Sequence, residues 1–515
     1  MSMNAITSAE SHAQSIDEPS ADCLLGSDLP IAIAAMRVSS ESPVPIYEQI
    51  SNALRRAIVA GDLPPGTAIP TSRELAAIMK VGRNTVVRAY SQLVAEGYLA
   101  SGRRRGTRVE EGLVSDSVST AAKNAAAAQE QRSVLVEPIG VGIRAQQILN
   151  DGRRATGSNG TPSLSHPDPS LFPRHHLSRL LIEEFRGSPA KHYADARSRF
   201  QAVISTYLRV KRGVCCEPAQ IIPVTGLANA LDLTSRVMID PGQCVLIEEP
   251  ATPDVSQVFS AAGARLAVMP GDRAWLHASQ AQLPHPRLIY VSPTLRFPVG
   301  TQMPQEQRTA VLEFAQQRGA VIFENDTGWE LIYGNERVRP IHASDQFGQV
   351  IYFGSMNETL GPYIRASYLV VPRHLIDAFV GTANALGCGP EPFVLAAVAQ
   401  FIEDGQYALH VKNLRAKYAQ RVAVALRAVR NHLRDATPLE PSAGFHVCIL
   451  LSECRDDVEI CRNAAEQGFH VEPLSSFYHH GEQVQGLVLG LGAISERNID
   501  TAVRRLGDAI LAEAA

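Results

Sequence analysis

The sequence predicts an α/β chain in two parts. A small winged helix-turn-helix comes first, then a linker, then a large body built on a mostly parallel sheet with helices on both faces and a small C-terminal α+β subdomain. Three observations predict this. Residues 45–109 hold ten Lys and Arg against four Asp and Glu, about +6, whereas the whole 515-residue chain carries −4 and the remainder therefore about −10. The same stretch carries helix caps, turns and a basic hairpin in the order that such a module needs. Beyond residue 155, short apolar runs bounded by turn residues alternate with helical periodicity, which is the pattern of strands covered on both faces.

Residues 1–42 are polar and acidic and read as a mostly disordered tail, with IAIAAM as a short helix inside it. The head is expected over 43–110. Ile46, Ile50, Leu54 and Ile58 recur every four residues and give its first helix one apolar stripe. Gly61 and the run Leu63-Pro64-Pro65-Gly66 end that helix in a turn. Thr71 followed by Glu74 is a capping box that opens a second helix through Met79. Val81 and Gly82 make a tight turn into a third helix, 83–96, whose inner face is Val86, Tyr90 and Leu93 and whose stop is Gly97. Arg83, Asn84, Thr85 and Arg88 are left at its start without a core role, where side chains of a recognition helix reach base edges in the major groove. Residues 98–99 and 107–109 pair as strands around a tip, and Arg103, Arg104 and Arg105 there suit backbone or minor-groove contact. A compact basic module on an acidic body is the charge layout of a protein that meets double-stranded DNA at one end.

After the head, residues 111–154 are rich in Ala, Ser, Glu and Gln and read as a linker, partly helical, rather than a core element. The body, 155–515, is read as helix 197–210, strand 220–223, helix 228–238, strand 244–248, helix 255–262, and strands at 288–291, 320–323, 350–353 and 368–371. It turns helical from Pro392, with a further α+β unit after Gly444. No run of about 18 apolar residues exists, so no transmembrane helix is expected. Nor does the start carry a signal-peptide core. The eight cysteines show no metal-ligand spacing, and His479 and His480 read as a solvated loop pair, so no metal site is expected. A cytoplasmic location in a bacterium follows as an expectation.

The segment from PIYEQI through SRELA and GRNTVVRAY to the wing resembles the head of the GntR family. That resemblance implies DNA contacts by Arg73, Arg83, Asn84, Thr85 and the wing arginines, and dimers that bind two-fold operators. The body resembles the fold-type I aminotransferases in the form fused to such heads, the MocR (GabR-like) regulators. The matching segments are LFPRHHLSRLL, TYLRVKRGVCCEPAQIIPVTGLANALDL, MIDPGQCVLIEEPATP, SPTLRFPVGTQMP, IYFGSMNETLGPYIRASYLVVP and AGFHV, in that order.

The departures from that pattern bear most on function. A GTFSKTL-like motif, whose lysine holds pyridoxal phosphate as an imine, here reads GSMNETL and puts Glu358 at the position. The chain has no lysine between Lys211 and Lys412. An EDDYD-like motif reads ENDTG, giving Asn325 and Thr327 in place of the Asp and Tyr that face the cofactor ring. The stacking aromatic of a PGYP-like turn becomes Thr252, and a PSHQFPTG-like motif carries Leu295 and Arg296. Gly226 and Ala228 open a helix whose amides suit an anion. Arg365 falls at the family's phosphate-binding arginine, and either holds an anion or pairs with Glu358. Without an amine no imine forms, so the resemblance with its departures implies a regulator that is not an enzyme. Its body then senses a ligand, dimerises, or both, without covalent pyridoxal phosphate. Non-covalent binding of pyridoxal phosphate is the alternative, and an active aminotransferase a third reading that Glu358 opposes.

Overall fold

The computed structural model describes residues 31–34, 36, 38–39, 42–102, 106–111, 141–142, 144–146, 167–186, 189–269, 284–334, 338–361, 363–452, 455–478, 483–492 and 494–513. The expected tail up to residue 30, nearly all of the expected linker, the tip with Arg103, Arg104 and Arg105, and His479 and His480 lie outside the described residues. The chain divides into two compact units, 1–140 and 141–515.

In the first unit the helix Ile46–Ala60 buries Ile50, Leu54 and Ile58 and ends on Gly61 in the left-handed region, φ 83°. Thr71 caps the helix Ser72–Met79 reciprocally. The Glu74 N–H donates to Thr71 Oγ1 at 3.3 Å, and the Thr71 N–H donates to Glu74 Oε2 at 2.8 Å. The third helix, Arg83–Ala95, buries Val86, Ala89, Tyr90 and Leu93. The Tyr90 hydroxyl donates to the Pro70 carbonyl at 2.7 Å and ties this helix to the turn before the second. Strands β2 (Leu99–Gly102) and β3 (Gly106–Val109) form the wing, with Leu99 opposite Val109.

Two features differ from expectation. A third strand, β1 (Ala68–Ile69), pairs antiparallel with β3; two residues are too few to show a strand period, and the sequence suggests only a turn there. The head also starts earlier than residue 43. Ile33, on the short helix Ile31–Ala34, is buried in the same apolar cluster as Leu54 and Leu93. Burying such a side chain stabilises by roughly 1.5–3 kcal/mol, so these residues belong to the domain.

The second unit is built on a seven-stranded sheet in the order β4-β10-β9-β8-β7-β5-β6. Its strands are β4 (Ile221–Val224), β5 (Cys244–Glu248), β6 (Arg265–Met269), β7 (Leu288–Val291), β8 (Val321–Asn325), β9 (Val350–Ser355) and β10 (Ser367–Val370). Only β10 runs against its neighbours, pairing antiparallel with both β4 and β9. β4, β5, β7, β9 and β10 are buried throughout and β8 in all but its last residue, as their apolar runs predict, whereas the edge strand β6 is buried only at Met269. Ile222 and Phe353 pack toward the helices Leu227–Met238, Pro253–Ala261 and Ile376–Leu386. Ile221 and Tyr352 pack toward Pro189–Lys211 and Pro392–Glu403.

The C-terminal subdomain is an antiparallel sheet in the order β11-β12-β14-β13, with β11 (Ala436–Pro438), β12 (His446–Leu451), β13 (Glu472–Pro473) and β14 (Gly486–Gly490). Its apolar face meets the end of the helix Gln406–His432 and the helices Asp457–Glu466 and Glu496–Glu513. It begins at β11, before the expected start at Gly444. Among the described residues no helix is long and apolar enough to cross a membrane.

Candidate nucleic-acid interface and ligand cavity

On the head, Arg83 and Asn84 stand exposed at the first turn of the helix Arg83–Ala95, with Thr85 half-buried beside them. Arg73 is exposed near the start of the preceding helix, and the two helices meet where Arg83 Nε reaches Ser72 Oγ at 3.5 Å. Among the described residues of this unit the only ion pair is Arg55 with Glu96. Arg73 and Arg83 thus keep their charge free for an anionic partner. Arg88 differs from its companions. Its guanidinium lies 3.8 Å from the centroid of the Tyr47 ring, so it braces the first helix as well as facing solvent. Sequence spacing gave no sign of that contact, because the two residues sit on different helices.

In the body, the C-terminal ends of β4, β5, β7, β8 and β9 converge on a cavity of about 510 Å³. Loops after the carboxyl ends of parallel strands are where α/β sheets place ligands. β4 leads into Gly226, Leu227 and Ala228; β5 into Thr252 and Asp254; β7 into Leu295 and Phe297. β8 ends at Asn325 and turns through Thr327, and β9 leads to Asn357 and Glu358, while Gly444 and His446 close the far wall. The sequence-derived pocket residues Gly226, Ala228, Thr252, Asn325, Thr327, Glu358 and Arg365 all line this one cavity.

Their hydrogen-bonding divides them into two sets. Asn325 is fully engaged: its Nδ2 donates to the Tyr290 hydroxyl at 2.9 Å, and its Oδ1 accepts from the Thr327 N–H at 3.1 Å and the Thr327 hydroxyl at 2.6 Å. Beneath it, Arg212 clamps Asp326 with Nε to Oδ2 at 2.6 Å and Nη2 to Oδ1 at 2.8 Å, and the Tyr352 hydroxyl donates to Oδ2 at 2.7 Å. This buried network fixes the β8 turn. By contrast, Thr252 Oγ1, Glu358 Oε2 and His446 Nε2 are shut off from solvent and have no hydrogen-bond partner. Burial raises the Glu358 carboxyl above the usual range, against the pull of Ser355. Burial likewise raises Asp254 and pulls His446 down to about 4, so its ring is neutral. Behind the wall, burial and then the Tyr407 and Glu358 neighbours set Glu330, which is pushed up to about 8.

The start of the helix Leu227–Met238 supplies donors. Its ladder begins with the Ala230 N–H on the Gly226 carbonyl at 3.0 Å, which leaves the amides of the first turn facing the cavity end. A Cβ on Gly226 would sit 3.1 Å from Asn357 Nδ2 and 3.4 Å from Arg365 Nη2, so a larger residue would push those side chains back from the helix start. Arg365 is exposed and forms no ion pair with Glu358; the pairing reading is set aside by geometry, since Arg365 is drawn toward Gly226 instead. Leu295 occupies the cavity wall, its Cδ2 only 2.9 Å from where a Gly328 Cβ would be. Arg296 is tied into the frame by Glu248 at 2.6 Å. Among the lining residues to which the sequence assigned no role are Asp254, Ser355, Asn357 and His446, the last inside AGFHV.

A winged helix-turn-helix joined to an aminotransferase-like α/β body defines a DNA-binding regulator of the fused kind. Residues 46–109 match the family described as bacterial regulatory proteins, gntR family, and residues 179–506 match aminotransferase class I and II. Over 477 residues the chain is 32% identical to a Rhizobium meliloti protein named probable rhizopine catabolism regulatory protein MocR, covering 92% of this chain and 95% of that one. A Corynebacterium glutamicum protein named HTH-type pyridoxine biosynthesis transcriptional regulator PdxR is 27% identical over 492 residues, 94% of this chain and 99% of its own. An archaeal alanine:glyoxylate aminotransferase structure shares the fold, with a TM-score of 0.65 at 23% identity over 72% of this chain and 98% of that one. The chain belongs to the MocR type of gntR-family transcription regulators, with an aminotransferase-like domain behind the DNA-binding head.

Proposed function

We propose that this regulator uses its aminotransferase-like body as a catalytically silent ligand sensor and dimerisation unit, with DNA binding as its output. The observation that carries the reading is Glu358. It sits just after β9 on the cavity wall, and among the described lining residues none bears an amine. Pyridoxal phosphate, when bound by an enzyme of this fold, supplies an aldehyde for imine formation and an electron sink. The residues here do not fit a covalently held form of it. Glu358 offers a carboxyl in place of an amine, Asn325 spends its polar atoms on Tyr290 and Thr327, and Thr252 cannot stack on a ring. A small molecule in the cavity is instead held by non-covalent contacts.

On the output side, Arg83, Asn84 and Thr85 enter the major groove from the recognition helix, Arg73 and the wing arginines hold the backbone, and two copies engage a two-fold operator. Ligand occupancy biases how the paired heads meet their half-sites. The test is borohydride reduction of the purified full-length chain with excess pyridoxal 5′-phosphate, followed by mass spectrometry. The expected result is no adduct in the body. A reduced pyridoxyl adduct at stoichiometric yield on the body would overturn the silent-sensor reading.

A further inference from the structure

The first turn of the helix Arg83–Ala95 gives Arg83, Asn84 and Thr85 to the major groove, and the second turn has one side chain left to follow them. Val86 and Ala89 are buried in the core of the head. The Arg88 guanidinium is held 3.8 Å from the centroid of the Tyr47 ring on the first helix. Val87, by contrast, is 41% exposed and stands outside the apolar cluster of the head. It lies four residues after Arg83 and three after Asn84, so the three share one face of the helix. At a rise of about 1.5 Å per residue it stands about 6 Å further along the axis than Arg83. Valine is a poor helix former, so local stability does not call for it at an exposed position. Val59, Ile78 and Val94 are exposed as well, but each lies in the last turn of its helix, whereas base edges are read from the N-terminal part of a recognition helix.

We propose that Val87 is a specificity-determining residue whose isopropyl group packs against the C5-methyl of a thymine in each operator half-site, a contact that rests on the groove placement proposed above. The thymine lies within about two base pairs of the pair that Arg83 reads, since the 6 Å along the helix axis compares with about 3.4 Å per base pair. Arg83 and Asn84 have donors that suit the acceptors of guanine and adenine edges. Val87 has none, and its gain comes from taking the thymine methyl and its own methyl groups out of water. A cytosine at that position lacks the methyl and presents an N4 amine donor that valine cannot answer. The second turn thus reads by apolar contact what the first turn reads by hydrogen bonds.

The experiment selects duplexes from a randomised pool with the full-length chain, then replaces each thymine of the selected site by deoxyuridine, which removes the methyl and nothing else. Fluorescence anisotropy reads each affinity. At least one thymine per half-site should weaken binding about fourfold when replaced, and about 15-fold when replaced in both halves, the scale of one methyl taken out of water at each contact. Val87→Ser, matched to valine in helix propensity, should bind the thymine and uracil duplexes within about twofold of each other. Its affinity for a scrambled duplex should not change. Val87→Ala keeps only the Cβ; it serves if the serine variant fails to fold, and should at least halve the uracil penalty. A selected site with no sensitive thymine, a uracil penalty unchanged in the folded variants, or equal loss on selected and scrambled duplexes would each overturn the proposal while leaving the helix in the groove. Selection of no duplex at all would overturn the groove placement and this contact with it.

Discussion

Replacing Arg83 by Ala separates binding from folding, because the structure gives the side chain almost nothing to do in the folded head. Its one contact is Nε to Ser72 Oγ at 3.5 Å, the outer limit of a hydrogen bond. It also sits at the positive end of the helix Arg83–Ala95, whose first turn holds no acidic residue. A cation there costs about 0.3–1 kcal/mol, and Ala is the better helix former. The variant should therefore melt at the same temperature or slightly higher. An arginine that reads guanine bidentately contributes about 1–3 kcal/mol of discrimination, and the proposed dimer on a two-fold operator would use two of them. Loss of both amounts to about 2–6 kcal/mol, or roughly 30-fold to more than 10⁴-fold in specific affinity. Fluorescence anisotropy on a duplex selected by the unmodified chain, against a scrambled duplex, measures it across a salt series. The specific duplex should fall to the affinity of the scrambled one, while the salt slope, set by phosphate contacts, stays within about one unit. Equal loss on both duplexes with a shallower slope would make Arg83 a backbone contact and refute the base-reading assignment. Unchanged affinity would refute any role in the interface.

Other perturbations test the frame. Thr71→Ala removes the capping box and should lower the stability of the head by about 1 kcal/mol, read as an earlier melting transition with the body's transition unmoved. Arg212→Ala strands Asp326, a fully buried carboxylate with its clamp gone; a loss of about 3–5 kcal/mol is expected, measured by denaturant unfolding of the body. The pH dependence has a defined sign. Burial pushes Glu330 up to about 8 from the ordinary carboxyl value of 4.5, so the folded state keeps its proton longer than the unfolded state. That contribution is complete below about 4.5 and is lost as pH rises through 8. Glu324, at about 7, acts in the same direction. His446, lowered to about 4 from 6.5, acts oppositely and only below 6.5. Stability should therefore decline between pH 6.5 and 8, and Glu330→Gln should flatten that decline in a series of thermal melts. An unaltered slope would show that Glu330 titrates normally.

The parts of the fold that local chemistry dictates were legible in the sequence. The capping box at Thr71, the four-residue stripe of the first helix and the unbroken apolar runs of β5 and β7 each carry their own signal, and the elements appear within a residue or two of their expected bounds. What stayed hidden depends on partners distant in sequence. β1 has no period of its own and exists because β3 offers it an edge. Arg88 reads as a free basic side chain until Tyr47 is brought beneath it. The site residues from Gly226 to Arg365 were legible through motif order, yet their division of labour was not. Only geometry distinguishes Asn325, whose amide is spent on Tyr290 and Thr327, from Glu358, whose carboxyl oxygen is not.

That division carries the functional argument. Polar groups around a cavity that bond one another hold the cavity's shape whatever enters it, and here Arg212, Asp326, Thr294, Tyr352 and Asn325 form that frame. Polar groups left unpaired in a folded protein are rare, because each costs the desolvation of its own charge or dipole. Thr252, Glu358 and His446 line the cavity, but their unpartnered atoms are closed to contact and have counterparts elsewhere among the described residues, such as Ser235 Oγ and Trp329 Nε1. If the body senses a ligand as proposed, the contacts are to be sought on this frame, at the ends of β4, β5, β7, β8 and β9, whose loops line the one cavity.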